Sequence, residues 1–142
     1  MKDEFVQFAQ KAIIIKDGKI LLIKKSANDI NQPNKWDLPG GRKQQNESLD
    51  EQIKREVFEE VGLKISPKNI FDMWQFSILQ EEKLINVVAV SRFCDITESY
   101  VELTEDIISK YEWVTIDNNL LKYDFIPGIR QTIEKLILKQ HN

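Results

Sequence analysis

Carboxylate side chains are concentrated in one segment of this chain, residues 41–63. Four of its five glutamates form a spaced set, an arginine directly precedes the last three of that set, and a glycine stands near each end. These residues are Gly41, Glu47, Arg55, Glu56, Glu59, Glu60 and Gly62. Carboxylate oxygens are the ligands that hard divalent cations such as Mg²⁺ and Mn²⁺ prefer. The pattern therefore predicts metal-assisted chemistry, for which a phosphate compound is the natural substrate.

A helix is needed to hold these carboxylates in place. Ser48 and Glu51 form the S-x-x-E pattern of a capping box, which predicts that a helix begins at Leu49. Gly62 can adopt the left-handed conformation that ends a helix. The predicted apolar stripe of this helix consists of Leu49, Ile53, Val57 and Val61.

The helical wheel places the glutamates beside that stripe. Glu60 falls within the stripe, Glu56 at its edge, and Glu59 further round on that edge. Glu56 and Glu60 are four residues apart, so their like charges repel, and half-buried carboxylates are unfavourable without a partner. A bound cation would remove both penalties. The alternative is a solvated acidic face, on which Arg55 is an ordinary helical partner of Glu51 or Glu59.

The segment resembles the signature of the Nudix hydrolase family, G-x5-E-x7-R-E-U-x-E-E-x-G-U, in which U is a bulky apolar residue. The preceding residues 36–40, WDLPG, resemble the usual lead-in to that signature. Nine specified positions match at fixed spacing, which rarely happens by chance. They are Gly41, Glu47, Arg55, Glu56, Val57, Glu59, Glu60, Gly62 and Leu63.

This resemblance implies hydrolysis of a nucleoside diphosphate linked to another group, in which water attacks phosphorus and a phosphoanhydride bond breaks. It also implies Mg²⁺ or Mn²⁺ as the cofactor, held by Glu56, Glu59 and Glu60. The backbone carbonyl of Gly40 is the expected further ligand. Glu47 is expected to support the site or to contact the metal through water.

The base that activates water varies within the family, so two candidates stay open. One is Glu56, with Arg55 orienting a carboxylate beside it. The other is Glu105, because residues 102–106 resemble the family pattern of an acidic residue in a loop before an aromatic strand. Glu102, Asp106 and a merely solvated loop are the alternatives at that place.

The substrate is the least determined feature. Residues 77–86 contain neither the proline typical of ADP-ribose hydrolases nor the tyrosine typical of dinucleoside polyphosphate hydrolases. That leaves the MutT-like enzymes, which cut a nucleoside triphosphate to the monophosphate and pyrophosphate. The candidate phosphate contacts are Lys24, Lys25, Lys35, Arg42 and Arg92, and the candidates for stacking on a base are Trp36, Trp74, Phe76 and Phe125. Taken singly, each is more often a surface charge or a core aromatic residue.

Other functions compete with this interpretation. The chain could be a noncatalytic module that senses a nucleotide, although such modules are expected to lose signature carboxylates. It could instead hydrolyse ADP-ribose or nucleotide sugars, or act on the 5′ ends of RNA. The formal net charge of −3 argues against broad binding of nucleic acid.

The flanking sequence predicts strands and a second helix. The predicted strands are 11–15, 19–23, 74–79, 84–93 and 113–116. Asp17-Gly18 and residues 80–83 are predicted hairpin turns, 26–35 is a predicted loop, and 126–139 has helical spacing. These elements indicate a layered α/β domain. The resemblance implies a Nudix-type α/β/α sandwich with a mixed β-sheet and the signature as a catalytic loop-helix-loop.

The remaining expectations concern the setting of the protein. A length of 142 residues fits a single Nudix domain over residues 1–142. No stretch is apolar enough to cross a membrane, and the first ten residues lack the apolar segment of a secretory signal. Cys94 is the only cysteine, so we expect a buried thiol in a cytoplasmic protein whose partner is a nucleotide-type small molecule. A homodimer is among the assemblies that the sequence leaves open.

Overall fold

The fold is described from a computed structural model, which covers residues 5–98, 102–103 and 106–140. The strands are β1 (Phe5–Lys16), β2 (Lys19–Lys25), β3 (Trp36–Asp37), β4 (Gly40–Arg42), β5 (Lys64–Gln80), β6 (Lys83–Glu98) and β7 (Ile108–Thr115). The helices are α1 (Leu49–Val61) and α2 (Ile129–Gln140), with a 3-10 helix at Asn118–Lys122.

The strands of the described residues form one mixed sheet in the order β3-β2-β1-β6-β5, with β4 also paired to β1 and β7 to β2. The β1–β6 pair is parallel, and the other pairs are antiparallel. The predicted hairpin at Asp17-Gly18 is present, with both residues at positive φ as such turns require. The mixed sheet agrees with the sequence prediction.

Helices cover both faces of this sheet because successive side chains of β1 point to opposite faces. Ile13 packs in the cluster that contains Ile129, Ile133 and Leu136 of α2. Ala12 and Ile14 pack in the cluster that contains the buried side of α1. The predicted α/β/α layering is therefore confirmed.

Helix α1 begins and ends at the predicted residues. The Ser48 hydroxyl accepts from the Glu51 N–H at 3.1 Å, and the Glu51 carboxylate accepts from the Ser48 N–H at 3.2 Å. Gly62 caps the other end at φ 72°. The prediction that Leu49 belongs to the buried stripe is wrong, because Leu49 is 46% exposed in the first turn and Gln52 is buried instead.

Other element boundaries also differ from the prediction. Strand β5 begins at Lys64, well before residue 74, because register shifts between Lys64 and Asp72 accommodate its proline and polar residues. Helix α2 begins at Ile129, after Pro127 and after Gly128 at φ 92°. Cys94 is buried as predicted, and burial raises the pKa of its thiol to about 12. No helix of the described residues is long and apolar enough to cross a membrane.

Candidate active site

Two adjacent glycines of β4 allow close contacts with different neighbours, Gly40 with β1 and Gly41 with α1. Gly40 has φ 148°, and a Cβ there would collide with the backbone carbonyl of Gln10 in β1. A Cβ on Gly41 would lie 2.6 Å from the Glu56 carboxylate. The absence of a side chain at Gly40 therefore lets β4 lie against β1, and its absence at Gly41 lets the Glu56 carboxylate lie against β4.

Glu60 lies at the buried end of this contact. It is 3% exposed, and its carboxylate accepts a hydrogen bond from the Gly40 N–H at 2.7 Å. Burial raises the pKa of Glu60 to about 8, although Lys11 and Lys25 act in the opposite direction. Lys11 forms a 2.8 Å ion pair with the buried Asp37, whose carboxylate is 3.9 Å from the Lys25 ammonium. Positive charge thus lies beside Glu60 and is partly neutralised by Asp37.

Arg55 organises the remaining signature carboxylates. Its Nε and Nη2 each lie 2.9 Å from one oxygen of Glu47, which is a bidentate pair. Its Nη1 lies 3.1 Å from both Glu56 and Glu59. The hydrogen bonds from Arg55 lower the pKa of Glu47 to about 2. Burial raises the pKa of Glu56, although Arg55 acts in the opposite direction.

The atoms at this site that could bind a metal are carboxylate and carbonyl oxygens, which are the ligands that a hard divalent cation prefers. Gly40, Glu56 and Glu60 line one cavity. In the part of the chain described, no three Asp, Glu, His or Cys side chains converge as a metal-binding group. Glu56 and Glu59 both pair with Arg55, while Glu60 accepts from the Gly40 N–H. The types of oxygen at this site fit a hard divalent cation.

Two adjoining cavities meet at β4. The first, of about 810 Å³, is lined by Glu56 and Glu60 of the signature together with Lys25 and Arg42, whereas Glu47 and Glu59 are not part of its lining. The second, of about 330 Å³, shares Lys25 and β4 with the first and extends to Trp74 and Phe76. Its far wall includes Ile126 and Pro127, and Trp74 packs directly on Gly128. The cavity that Glu56 and Glu60 line therefore adjoins a second cavity with a more apolar lining.

Two of the five candidate phosphate contacts, Lys25 and Arg42, line these cavities. Arg92 pairs instead with Asp50 at 2.7 Å. Lys24 lies instead 5.9 Å from the centroid of the Trp36 ring, and Lys35 pairs with Asp124 at 3.2 Å. The structure brings neither of these lysines to the cavity lining, because their side chains are directed toward Trp36 and Asp124.

The aromatic candidates separate in a similar way. Trp74 and Phe76 line the second cavity. Trp36 and Phe125 are each 7% exposed and belong to the α2 side of the core, where Trp36 packs edge-on against Tyr123. Burial in the core leaves these two rings no surface on which a base could stack.

The sequence reasoning missed Lys11 as a site residue. Lys11 lies on the same face of β1 as Ala9 and Ile13, which are both buried. A lysine at this place in an alternating apolar pattern is the signal that could have identified it. Its ion pair with Asp37 could not be found that way, because the partners are 26 residues apart.

The predicted loop base, Glu105, lies outside the described residues. Glu102 and Asp106 are exposed. Ile107, which directly follows Asp106, lines the first cavity. Ile107 therefore lies at the same cavity as Glu56 and Glu60.

Comparison with known proteins gives consistent results. The NUDIX domain family matches residues 8–136 of this chain. An 8-oxo-dGTP diphosphatase from Buchnera aphidicola subsp. Schizaphis graminum (strain Sg) is 47% identical over 57 residues. That match covers 37% of this chain and 40% of the relative, so it spans well under half of the relative's length.

Solved structures resemble the whole chain. The MutT protein from Methanosarcina mazei Go1 is 26% identical, covers 100% of both chains and has a TM-score of 0.76. The E. coli ORF135 protein is 20% identical, covers 94% of this chain and 90% of its own, and has a TM-score of 0.71. A NUDIX hydrolase from Nitrosomonas europaea has a TM-score of 0.78 at 15% identity, covering 99% of this chain and 74% of its own. The last two likenesses concern the fold alone.

Proposed function

This chain belongs to the Nudix family, and we propose that it is a metal-dependent pyrophosphohydrolase that cuts a nucleoside triphosphate to the monophosphate and pyrophosphate. One observation carries the proposal. The cavity that contains Glu56, Glu60 and the Gly40 backbone also contains Lys25 and Arg42, and it adjoins the cavity that contains Trp74. A triphosphate needs the first environment and a nucleoside needs the second.

In this proposal Mg²⁺ or Mn²⁺ is held by Glu56, Glu59, Glu60 and the carbonyl of Gly40. A bound divalent cation neutralises phosphate oxygens and polarises the phosphorus that water attacks. Glu47 acts through Arg55, whose bidentate pair with it keeps the guanidinium between Glu56 and Glu59.

The cations of the protein bind the phosphate chain. Lys25 and Arg42 line the charged cavity and supply positive charge for phosphate oxygens. Lys11 lines the second cavity, where its ion pair with Asp37 holds the ammonium beside Lys25. The protein thereby offers a line of cations that leads from the apolar cavity to the carboxylates.

The apolar cavity receives the nucleoside. Trp74 and Phe76 offer aromatic surface, and Asn31, Gln32 and Ser77 add hydrogen-bonding groups to the same lining. The Buchnera relative is named for 8-oxo-dGTP, so oxidised guanine nucleotides are the first triphosphates to test.

Two further proposals concern the setting. The buried thiol of Cys94 fits a reducing compartment, and we assign the protein to the cytoplasm. A homodimer stays a prediction, which sedimentation would test.

The test is a hydrolysis screen with Mg²⁺ and with Mn²⁺. The substrates are ordinary and oxidised nucleoside triphosphates, ADP-ribose, nucleotide sugars, dinucleoside polyphosphates and 5′-triphosphate RNA. We expect monophosphate and pyrophosphate from triphosphates, and no turnover with EDTA. Inert triphosphates beside cleaved ADP-ribose or a nucleotide sugar would show that the substrate is wrong. Nucleotide binding without any hydrolysis would favour the noncatalytic module.

A further inference from the structure

Two buried glutamine side chains connect the sheet to α1 beside the candidate active site. Gln10 of β1 and Gln52 of α1 are 1% and 0% exposed. The Gln10 Nε2 donates to the Gln52 Oε1 at 2.6 Å and to the Leu49 carbonyl at 2.7 Å. The Gln52 Nε2 donates in turn to the carbonyl of Gly41 at 2.7 Å. Both amides are thus bonded in a place without access to water.

The direction of this hydrogen-bond chain is determined at its far end. Arg92 of β6 donates from Nη1 to the Gln10 Oε1 at 3.2 Å. Asp50 and the Lys68 carbonyl hold the same guanidinium, at 2.7 and 2.8 Å. Because a guanidinium only donates, the oxygen of Gln10 must face Arg92. The amide groups then turn the Nε2 of Gln52 toward β4.

The chain ends on the backbone that contacts the signature carboxylates. Gly41 lies against the Glu56 carboxylate, and the neighbouring Gly40 N–H binds Glu60. A shift of the Gly41 carbonyl would therefore change how the backbone of Gly40 and Gly41 lies relative to Glu56 and Glu60. Gln52 belongs to the same helix as both glutamates, and its side chain bonds directly to the Gly41 carbonyl. It therefore links α1 to this part of β4.

We propose that Gln52 is a positioning residue: it ties Gly41 to α1 and so fixes the Gly40–Gly41 backbone relative to Glu56 and Glu60. Gln10 and Arg92 orient its amide. This inference rests on the proposed function, since the geometry it protects is that of the metal donors. It assigns a role to a position that the family signature leaves unspecified.

The main test is Gln52→Met, which keeps length and helix propensity but removes the amide. We expect the Mn²⁺ dissociation constant, measured by electron paramagnetic resonance, to rise about tenfold, as for partners that orient a metal ligand. We also expect kcat to fall while the KM for nucleotide changes less than about twofold. Backbone hydrogen exchange in β4, measured in the absence of metal and substrate, should be faster in Gln52→Met than in the wild type. Unchanged Mn²⁺ affinity and unchanged exchange in β4 would overturn the proposal.

A double variant separates positioning from simple destabilisation. Gln52→Met alone leaves one donor of Gln10 and the Gly41 carbonyl without partners, whereas Gln10→Met/Gln52→Met removes that stranded donor and should recover part of the lost stability. If Gln52 positions Gly41, the double variant recovers stability in urea but keeps the weakened Mn²⁺ affinity. Recovery of affinity together with stability would overturn the proposal.

Thr132→Val is the matched control for buried polar loss. Thr132 is 0% exposed in α2, and its hydroxyl donates to Asp72, away from β4. This change should lower stability and leave Mn²⁺ affinity unchanged. A wild-type protein that binds Mn²⁺ yet leaves every triphosphate intact overturns the proposed function, while the affinity comparison still tests the role of Gln52.

Discussion

The carboxylate of Glu60 accepts a hydrogen bond of 2.7 Å from the backbone N–H of Gly40, twenty residues earlier in the chain. This bond joins the last turn of α1 to the first residue of β4 within a buried site. It satisfies an oxygen of a carboxyl group that would otherwise lack a partner away from water. Glu60 therefore has both a structural contact and, in the proposed function, a metal to hold.

Loss of charge at the signature should remove most turnover. We expect Glu60→Gln and Glu59→Gln each to lower kcat by about a hundredfold, because a charge that stabilises the transition state is lost. Triphosphate hydrolysis at saturating Mg²⁺ measures this. Glu134→Gln, an exposed change on α2, is the control. Wild-type turnover in Glu60→Gln would remove Glu60 from the metal site.

The stability of the metal-free protein should depend on the ionisation of Glu60. Its pKa in the folded protein is about 8, against an ordinary value of 4.5. Because the folded state binds the Glu60 proton more tightly than the unfolded state does, protonation of Glu60 stabilises the fold. This contribution to the free energy of unfolding is complete below pH 4.5 and is lost as pH rises through 8.

We therefore expect Glu60→Gln to raise the melting temperature in EDTA at pH 9, by roughly 4 °C for each kcal/mol gained. The glutamine keeps an acceptor for the Gly40 N–H but cannot ionise. Near pH 4.5 the gain should be much smaller. Thermal melts across this pH range measure it, and a gain that is independent of pH would contradict the explanation.

The two glycines of β4 should respond differently to alanine. In Gly40→Ala the new Cβ meets the backbone of β1, which cannot move aside without breaking strand pairing, so we expect a large loss of stability. In Gly41→Ala it meets the end of the flexible Glu56 side chain, which can move aside. We therefore expect a small loss of stability and a clear fall in kcat. Urea unfolding and turnover together test this, and equal destabilisation by both changes would contradict it.

Two carboxylates compete as the base. If Glu56 activates water, Glu56→Gln should lower kcat sharply with little change in KM, and Glu105→Gln should have a small effect. The reverse result would assign the base to Glu105, which loop closure on substrate could bring to the site. The measurement is kcat for both variants at saturating metal across a range of pH. Near wild-type rates in both would show that neither is the base, and the next candidates are Glu47, Glu59, Glu60, Glu102 and Asp106.

Features that depend on neighbouring residues could be predicted from the sequence. The cap at Ser48, the end of α1 at Gly62 and the turn at Asp17-Gly18 follow from local backbone chemistry. The burial of Glu60 followed from its place within the apolar stripe of the helical wheel. These predictions were confirmed because each rests on contacts within a few residues along the chain.

Irregular strands were harder to predict. The early part of β5 has register shifts that interrupt the alternating pattern, so the sequence indicated a strand only from residue 74.

The sequence also could not show which lysine side chains face the cavities. Lys24 and Lys25 are neighbours in β2, but only Lys25 lines the cavities. The direction of each side chain depends on strand register, which is set by pairing with distant segments.

The sequence alone determined which residue types the site contains, because the signature specifies glutamates, an arginine and glycines at fixed offsets along one helix and its flanks. The tertiary structure decided which distant residues complete it. Lys11 meets Asp37 across 26 positions, Gln10 meets Gln52 across 42 and Arg92 meets Gln10 across 82. Such pairs form when β1 takes its place between β4 and β6. Their partners are chosen by the packing of the whole sheet against α1, which no local pattern of residues records.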